Sequence, residues 1–200
     1  IMVVGGLWDA EDYYGACQLY KNLVEKNPSH DVRLVIGPWQ HGGWNNADRN
    51  SLGEYSFGEQ QQALYYQEQI EYPFVCHYLL DETISLSAKD KVHMFITGTN
   101  EWTVCPTWPL SQTQEHFMYL SADGTLTDSS PSAISSSDTY LSLPSRPVPY
   151  RDGVWYNRTA DYMTADQRFA ATRPDVLVYT SEPLDHDLVL VGEVDVDLYV

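Results

Sequence analysis

The chain has 200 residues, enough for one large domain or two small ones, and 43% of them are hydrophobic, which excludes an intrinsically disordered chain. Its formal net charge of −17 argues against nucleic-acid partners and against binding to an anionic membrane surface, and it would suit a cationic substrate. A second explanation of the acidity is solubility alone.

The first 36 residues predict a strand–helix–strand unit. Residues 1–4 are a short apolar run that ends in two glycines, as expected for a parallel strand buried on both faces. Residues 9–25 place apolar side chains at helical spacing, and residues 32–36 form a second apolar run that Gly37 and Pro38 close. This order is typical of an α/β layer.

The next segments predict a loop, a helix and a linker. Residues 38–58 are rich in Gly, Asn, Trp and Asp and follow a strand end, where α/β folds place their active sites. Residues 59–80 predict a helix that Pro73 kinks or splits, and the polar residues 81–91 predict a linker.

The remaining residues predict an antiparallel β-sandwich, because short apolar runs follow one another without an intervening helix. An Asp123-Gly124 turn and a Ser-rich loop at 127–137 separate some of these runs. The predicted strands cover residues 92–98, 115–120, 175–179, 187–192 and 194–200. We therefore expect a boundary near residue 88, with one domain at 1–88 and a second at 89–200.

The cysteines and the hydropathy pattern indicate no special chemistry. Cys17, Cys76 and Cys105 form no CxxC pair, so we expect neither a disulfide framework nor a zinc site, and we predict no metal and no cofactor. No apolar run is long enough to cross a bilayer.

The first candidate for chemistry is Asp9, which directly follows the first predicted strand. A carboxylate at the end of a parallel strand is held on a rigid element, as the acid that orients a catalytic histidine must be. The structural alternative is that Asp9 caps the following helix, with Glu11 and Asp12 in its first turn, where the helix dipole favours acids.

The second candidate is His41, which follows the second predicted strand in a loop of glycines and tryptophans. The flanking glycines let backbone and substrate approach the imidazole closely. In α/β-hydrolases the triad follows the order Ser, then Asp or Glu, then His, so Asp9 and His41 occur in the expected order. The alternative is that His41 is an ordinary surface residue.

At these residues the sequence resembles the α-amino acid ester hydrolases and their relatives, the cocaine-esterase and X-Pro dipeptidyl-peptidase group. Five segments carry the resemblance: GGLWDAED (5–12), GPWQHGGW (37–44), FITGTNEW (95–102), DQRF (166–169) and RPDVL (173–177). They occur in the family's order over nearly the whole chain. The resemblance implies an α/β-hydrolase fragment followed by an all-β, jelly-roll-like sandwich.

The resemblance also implies residue roles. Asp9 matches the triad acid and His41 the general base. Glu11 and Asp12 match two carboxylates that hold a substrate's α-ammonium group, and Trp39 is expected to line the substrate site. The expected substrate is a small-molecule ester or amide with an α-amino group, and the full-length enzyme is expected to form a homo-oligomer.

The nucleophile of this triad is absent from the sequence. No Gly-x-Ser-x-Gly elbow occurs, and Ser56 has the wrong offset and follows the histidine, so we interpret it as a loop residue. We therefore expect the chain to be part of a longer protein and to hydrolyse nothing by itself. Known relatives include exported and cytoplasmic proteins, which leaves localisation open, with an exported protein slightly favoured.

Two other functions remain open at this point. The first alternative is a broad carboxylesterase or an X-Pro dipeptidyl peptidase with the same triad. The second is that residues 92–200 form a non-catalytic carbohydrate-binding sandwich, since such modules also expose Trp and Tyr.

Overall fold

The computed structural model describes residues 1–46, 50–80, 83–132 and 137–199. Parts of four predictions lie outside the described residues: 47–49 of the loop, 81–82 of the linker, 133–136 of the Ser-rich loop and residue 200 of the last strand. The chain divides into two compact units, the first formed by Ile1–Ser111 with Thr159–Thr164 and the second by Gln112–Arg158 with Ala165–Val200.

The two units contain short elements. The strands are β1 (Met2–Gly6), β2 (Arg33–Gly37), β3 (Ser51–Leu52), β4 (Tyr55–Ser56), β5 (Val92–Ile96), β6 (Glu101–Cys105), β7 (Tyr119–Ser121) and β8 (Thr125–Thr127). The α-helices are α1 (Tyr13–Lys26), α2 (Gln62–Tyr66), α3 (Tyr72–Leu79) and α4 (Arg168–Ala171).

The first unit contains a mixed sheet with strand order β1-β2-β5-β6. β1, β2 and β5 are parallel, and β6 runs antiparallel to β5. The predicted strand–helix–strand unit is confirmed, as β1, α1 and β2. The first unit extends past the predicted boundary near residue 88, because β5 and β6 add two strands to this sheet.

The core lies around β2, which is buried along its whole length. Leu34, Val35 and Ile36 have no exposed surface, as the apolar run predicts for a parallel strand covered on both faces. Helix α1 turns Cys17 and Tyr20 inward, and these are its buried residues.

Helix α1 begins four residues later than the sequence predicts. The backbone N–H groups of Glu11 and Asp12 donate to the Asp9 carboxylate, which forms a turn in place of the first helical turn. Asp12 then caps the helix, since its carboxylate accepts the N–H of Gly15. The alternative in which Asp9 caps the helix is therefore wrong.

The loop and helix that follow β2 are more structured than predicted. The loop contains a 3₁₀ turn at Gly43–Asn45 and the β3–β4 hairpin, which places Ser56 in an exposed strand. The helix at 59–80 is observed as α2 and α3, joined by a π-helical turn at Gln67–Glu71 that directly precedes Pro73.

A buried arginine, Arg33, begins β2 inside the otherwise apolar run of residues 32–36. The Arg33 guanidinium donates to the Asp31 carboxylate at 2.7 Å and to the carbonyl oxygens of Ser87 and Asp90 at 3.1 Å each. The Tyr78 hydroxyl also donates to Asp31. Because every partner is local to this edge of the unit, the cluster stabilises the start of the strand.

The second unit contains one hairpin, β7–β8, with Asp123 and Gly124 at positive φ, so the predicted Asp-Gly turn is confirmed. The predictions of strands at 175–179, 187–192 and 194–199 are wrong, since these described residues belong to no strand and form no ladder. One isolated bridge joins Thr125 to Thr180. The described residues therefore show no complete sandwich.

Within the described part of the chain, no helix is long and apolar enough to span a membrane.

Candidate active site

Asp9 lies at the C-terminal end of β1 with its side chain 5% exposed. Its N–H donates to the Gly6 carbonyl, and its Oδ1 accepts the N–H groups of Glu11 at 2.9 Å and Asp12 at 3.2 Å. Two backbone donors and a buried position hold the carboxylate in one orientation.

His41 lies in the loop that follows β2, and the structure brings it against Asp9. Its Nδ1 lies 2.9 Å from Oδ2 and 3.2 Å from Oδ1 of that carboxylate. β1 and β2 are parallel, with Gly6 paired to Gly37, so the residues that follow each strand meet at the same edge of the sheet. The hydrogen bond expected from the sequence is therefore present.

The backbone around His41 forms a tight turn. The N–H of Gly43 donates to the Gln40 carbonyl at 2.9 Å, and Gly42 has a φ of 69°, a conformation that strongly favours glycine. A Cβ at Gly42 would meet nothing within 4 Å, and the imidazole side chain is 57% exposed. The histidine is thus open on one side and held by Asp9 on the other.

The electrostatics of Asp9 favour the ionised carboxylate. Burial raises its pKa, but the N–H of Glu11, the His41 side chain and the N–H of Asp12 together outweigh burial and leave the pKa below its usual range. An ionised Asp9 accepts a proton-bearing Nδ1, which leaves Nε2 as the basic nitrogen of a neutral imidazole.

Glu11 and Asp12 differ in the groups that their carboxylates contact. The Glu11 carboxylate is 53% exposed and lies 3.9 Å from Nε2 of His41. One oxygen of Asp12 is occupied by the Gly15 N–H at 2.6 Å, as the helix cap. Both residues follow Asp9 in the same turn, and the Glu11 carboxylate places negative charge beside Nε2 of the imidazole.

Trp39 is a core residue, which corrects its expected place in the substrate site. It is 5% exposed, its indole N–H donates to the Gly5 carbonyl at 3.0 Å, and it packs with Val35, Tyr66 and Ile70. The composition of the loop does not distinguish a core role from a binding role, because an indole supplies a large apolar surface and an N–H donor that suit either place.

Close packing around Trp39 explains two glycines of the strand ends. A Cβ at Gly6 would lie 2.1 Å from the Trp39 carbonyl oxygen, and a Cβ at Gly37 would lie 2.3 Å from its ring. These glycines therefore allow Trp39 to pack beside the strands, which anchors the segment that leads to His41.

Sequence reasoning missed two residues near His41. The ring of Trp44 lies edge-on to the imidazole, with centroids 6.2 Å apart. The side-chain amide of Gln67 donates to the Trp44 carbonyl at 2.7 Å. Gln67 belongs to no motif, and its position depends on the packing of α2, so no sequence signal identifies it.

The described residues contain no group of three or more His, Cys, Asp or Glu side chains that could hold a metal ion. Cys17, Cys76 and Cys105 are buried and are not joined in disulfides.

Comparisons with known proteins agree with the motifs. Residues 86–200 match the family model of the X-Pro dipeptidyl-peptidase C-terminal non-catalytic domain. The chain is 32% identical over 190 residues to the cocaine esterase of Rhodococcus sp. (strain MB1 Bresler), covering 90% of this chain and 32% of that protein. Asp9 and His41 precede the segment that the family model matches.

Two solved structures resemble the chain closely. An aminopeptidase from a marine sediment Thaumarchaeota archaeon is 36% identical with a TM-score of 0.83, covering 92% of this chain and 30% of that one. A selenomethionine-labelled α-amino acid ester hydrolase is 32% identical with a TM-score of 0.82, covering 96% of this chain and 32% of that one. The chain thus spans about a third of the length of these relatives.

Proposed function

Because this chain belongs to the CocE/NonD X-Pro dipeptidyl-peptidase family, whose members matched above include hydrolases, we propose that it supplies the acid and the base of a Ser-His-Asp triad. The complete protein would be a serine hydrolase or acyltransferase that acts on esters or amides of α-amino acids. Its nucleophilic serine would lie in the part of the protein outside this chain.

The observation that supports this proposal is the Asp9–His41 pair. The buried carboxylate accepts the Nδ1 proton at 2.9 Å, which orients the ring and leaves Nε2 exposed as the base. In the proposed reaction Nε2 takes the proton of the serine hydroxyl as it attacks the substrate carbonyl. The same nitrogen then protonates the leaving group, and ionised Asp9 stabilises the imidazolium between the two steps.

Recognition of the substrate's α-ammonium group is the finer part of the proposal. Glu11 offers a half-exposed carboxylate beside Nε2, and Asp12 adds charge while it caps α1. Close carboxylates favour a cation over a neutral or anionic rival. We assign the direct contact to Glu11, because its carboxylate lies 3.9 Å from Nε2 of His41.

The proposal extends to domain organisation. We propose that residues 1–88 belong to an α/β-hydrolase catalytic domain and that residues 89–200 begin a jelly-roll-like sandwich that the rest of the protein completes. The first two strands of the second segment, β5 and β6, pair with the sheet of the first unit. The exposed apolar side chains of the last described segment support the proposed sandwich, with Leu190 69% and Val196 74% exposed. Homo-oligomer formation by the complete enzyme is part of the same proposal.

A broader esterase is the second candidate, because one relative is a cocaine esterase. The two candidates share Asp9 and His41 and differ in whether the amino group of the substrate matters.

The test uses the full-length protein. We expect His41→Ala to lower labelling of the serine by a fluorophosphonate and turnover of phenylglycine methyl ester to a small residual level, while His30→Ala, at an exposed histidine, serves as the matched control and leaves both unchanged. Full labelling and turnover in His41→Ala would refute the triad.

The amino-group role is tested separately with the desamino analogue of the same ester. We expect the native protein to prefer the amino ester and Glu11→Gln to reduce that preference by up to about fivefold, since an exposed ion pair contributes up to about 1 kcal/mol. Equal rates with both esters in the native protein would favour the broad esterase.

A further inference from the structure

The segment from Trp39 to Trp44, which carries His41, is held at both ends, and one of the two anchors is a side chain outside every motif. On the N-terminal side Trp39 is fixed in the core by its indole N–H bond to the Gly5 carbonyl. On the C-terminal side the Gln67 amide donates to the Trp44 carbonyl at 2.7 Å. Between the anchors lie His41 and two glycines.

Two glycines make the segment around His41 dependent on contacts at its ends. Gly42 has a positive φ, a Cβ there would meet open space, and residues 43–45 form a single 3₁₀ turn. Glycine has more accessible backbone conformations than other residues, so the segment needs neighbouring contacts to hold one of them. Two contacts hold Trp44: its ring packs against the core cluster of Val35, Trp39, Tyr66 and Ile70, and its carbonyl accepts the bond from Gln67.

Trp44 in turn contacts the imidazole. Its ring lies edge-on to His41, with centroids 6.2 Å apart, and edge-on to Trp39 at 6.4 Å. Asp9 fixes one edge of the imidazole through Nδ1, and the contact with the Trp44 ring limits rotation of the imidazole about that edge.

Gln67 reaches the Trp44 carbonyl from the first residue of the π-helical turn that joins α2 and α3. π-turns are rare and are frequently found at functional sites, because the extra residue changes where a side chain points. The neighbouring Gln69 is exposed on the same turn and provides a matched residue of the same type.

We propose that Gln67 is a positioning residue for the base of the triad, acting through Trp44 to hold the His41 ring in the orientation that faces the nucleophile. This inference depends on the proposed function, since it concerns how His41 is aimed. It predicts that Gln67 affects the chemical step and leaves substrate binding alone.

The test is a double-mutant cycle in the full-length protein. Gln67→Ala and Gln67→Glu both remove the N–H donor, and the second keeps the side-chain shape. We expect each to lower kcat about tenfold, the factor that corresponds to one ordinary hydrogen bond, with KM and the thermal midpoint close to native. Gln69→Ala is the control and should match the native protein.

The cycle separates positioning from a general structural effect. If Gln67 acts through His41, then Gln67→Ala should not lower the residual activity of His41→Ala any further. The proposal is overturned if both variants keep native kcat, if kcat falls only in step with the thermal midpoint, or if the two substitutions act additively. Native activity of His41→Ala would instead refute the proposed function, so the two failures are distinguishable.

Discussion

Replacement of Asp9 by asparagine tests the proposed triad most directly, because the new side chain has nearly the same shape. Oδ1 accepts two backbone N–H groups, and Oδ2 lies 2.9 Å from Nδ1 of His41. The asparagine oxygen would keep the two backbone donors, which places its NH₂ group against Nδ1. The imidazole must then present an unprotonated Nδ1, and its proton moves to Nε2.

The magnitudes follow from this rearrangement. With the proton on Nε2 the ring no longer acts as a base, and loss of the acid from a Ser-His-Asp triad lowers kcat by about 10⁴. Stability should fall less, by about 1–3 kcal/mol, because the two backbone bonds survive and one charged hydrogen bond is lost. The Asp9→Asn protein should therefore stay folded while its turnover of phenylglycine methyl ester nearly vanishes.

The assay compares kcat, the thermal midpoint and the imidazole tautomer by ¹⁵N NMR in the native and Asp9→Asn proteins. Asp195→Asn, at an exposed aspartate of the last segment, is the matched control. A loss of kcat below tenfold, or a tautomer that keeps its proton on Nδ1, would refute the assignment of Asp9 as the triad acid.

The lowered pKa of Asp9 predicts how the stability difference between the native and Asp9→Asn proteins depends on pH. The pKa of Asp9 is lowered on folding, so its carboxylate stabilises the protein above about pH 4 and this contribution is lost as the pH falls through the lowered pKa. The stability difference between native and Asp9→Asn proteins should be constant near neutral pH and shrink below about pH 4. A difference that grows on acidification would contradict this sign.

Three further predictions concern the structure that supports the site. Gly6→Ala should destabilise the protein by about 1–3 kcal/mol, measured by urea unfolding, because its Cβ would lie 2.1 Å from the Trp39 carbonyl oxygen; native stability would show that the loop leading to His41 can move. Trp39→Phe should cost about 1–3 kcal/mol in the same assay by leaving the Gly5 carbonyl without its buried donor, and a neutral effect would contradict that hydrogen bond. Burial raises the pKa of Asp31, but its hydrogen bonds, first among them the one from Arg33, lower that pKa overall. Asp31→Asn should therefore destabilise the protein at pH 7 and much less near pH 3. An equal loss of stability at both pH values would refute the ion pair.

The local sequence pattern was sufficient to predict the parallel strands that carry the site. The apolar runs before Gly5 and Gly37 predict parallel strands, and parallel strands in one layer bring their C-terminal ends to one edge. Asp9 and His41 follow those ends directly, so their meeting could be predicted without coordinates. The late start of α1 could not, because the Asp9 carboxylate competes with the helix for the N–H groups of Glu11 and Asp12.

The sequence by itself therefore determined the strand–helix–strand unit, the family and the two residues at the strand ends, since these depend on periodicity and on neighbours along the chain. Tertiary structure alone decided that Trp39 belongs to the core, that β6 joins the first sheet and that Gln67 reaches Trp44. These contacts join residues far apart in sequence, and packing selects one of several arrangements that the local pattern allows equally. The segments after Asp175 illustrate the same limit, because a strand needs a neighbour for its backbone hydrogen bonds, and β-propensity alone does not supply one.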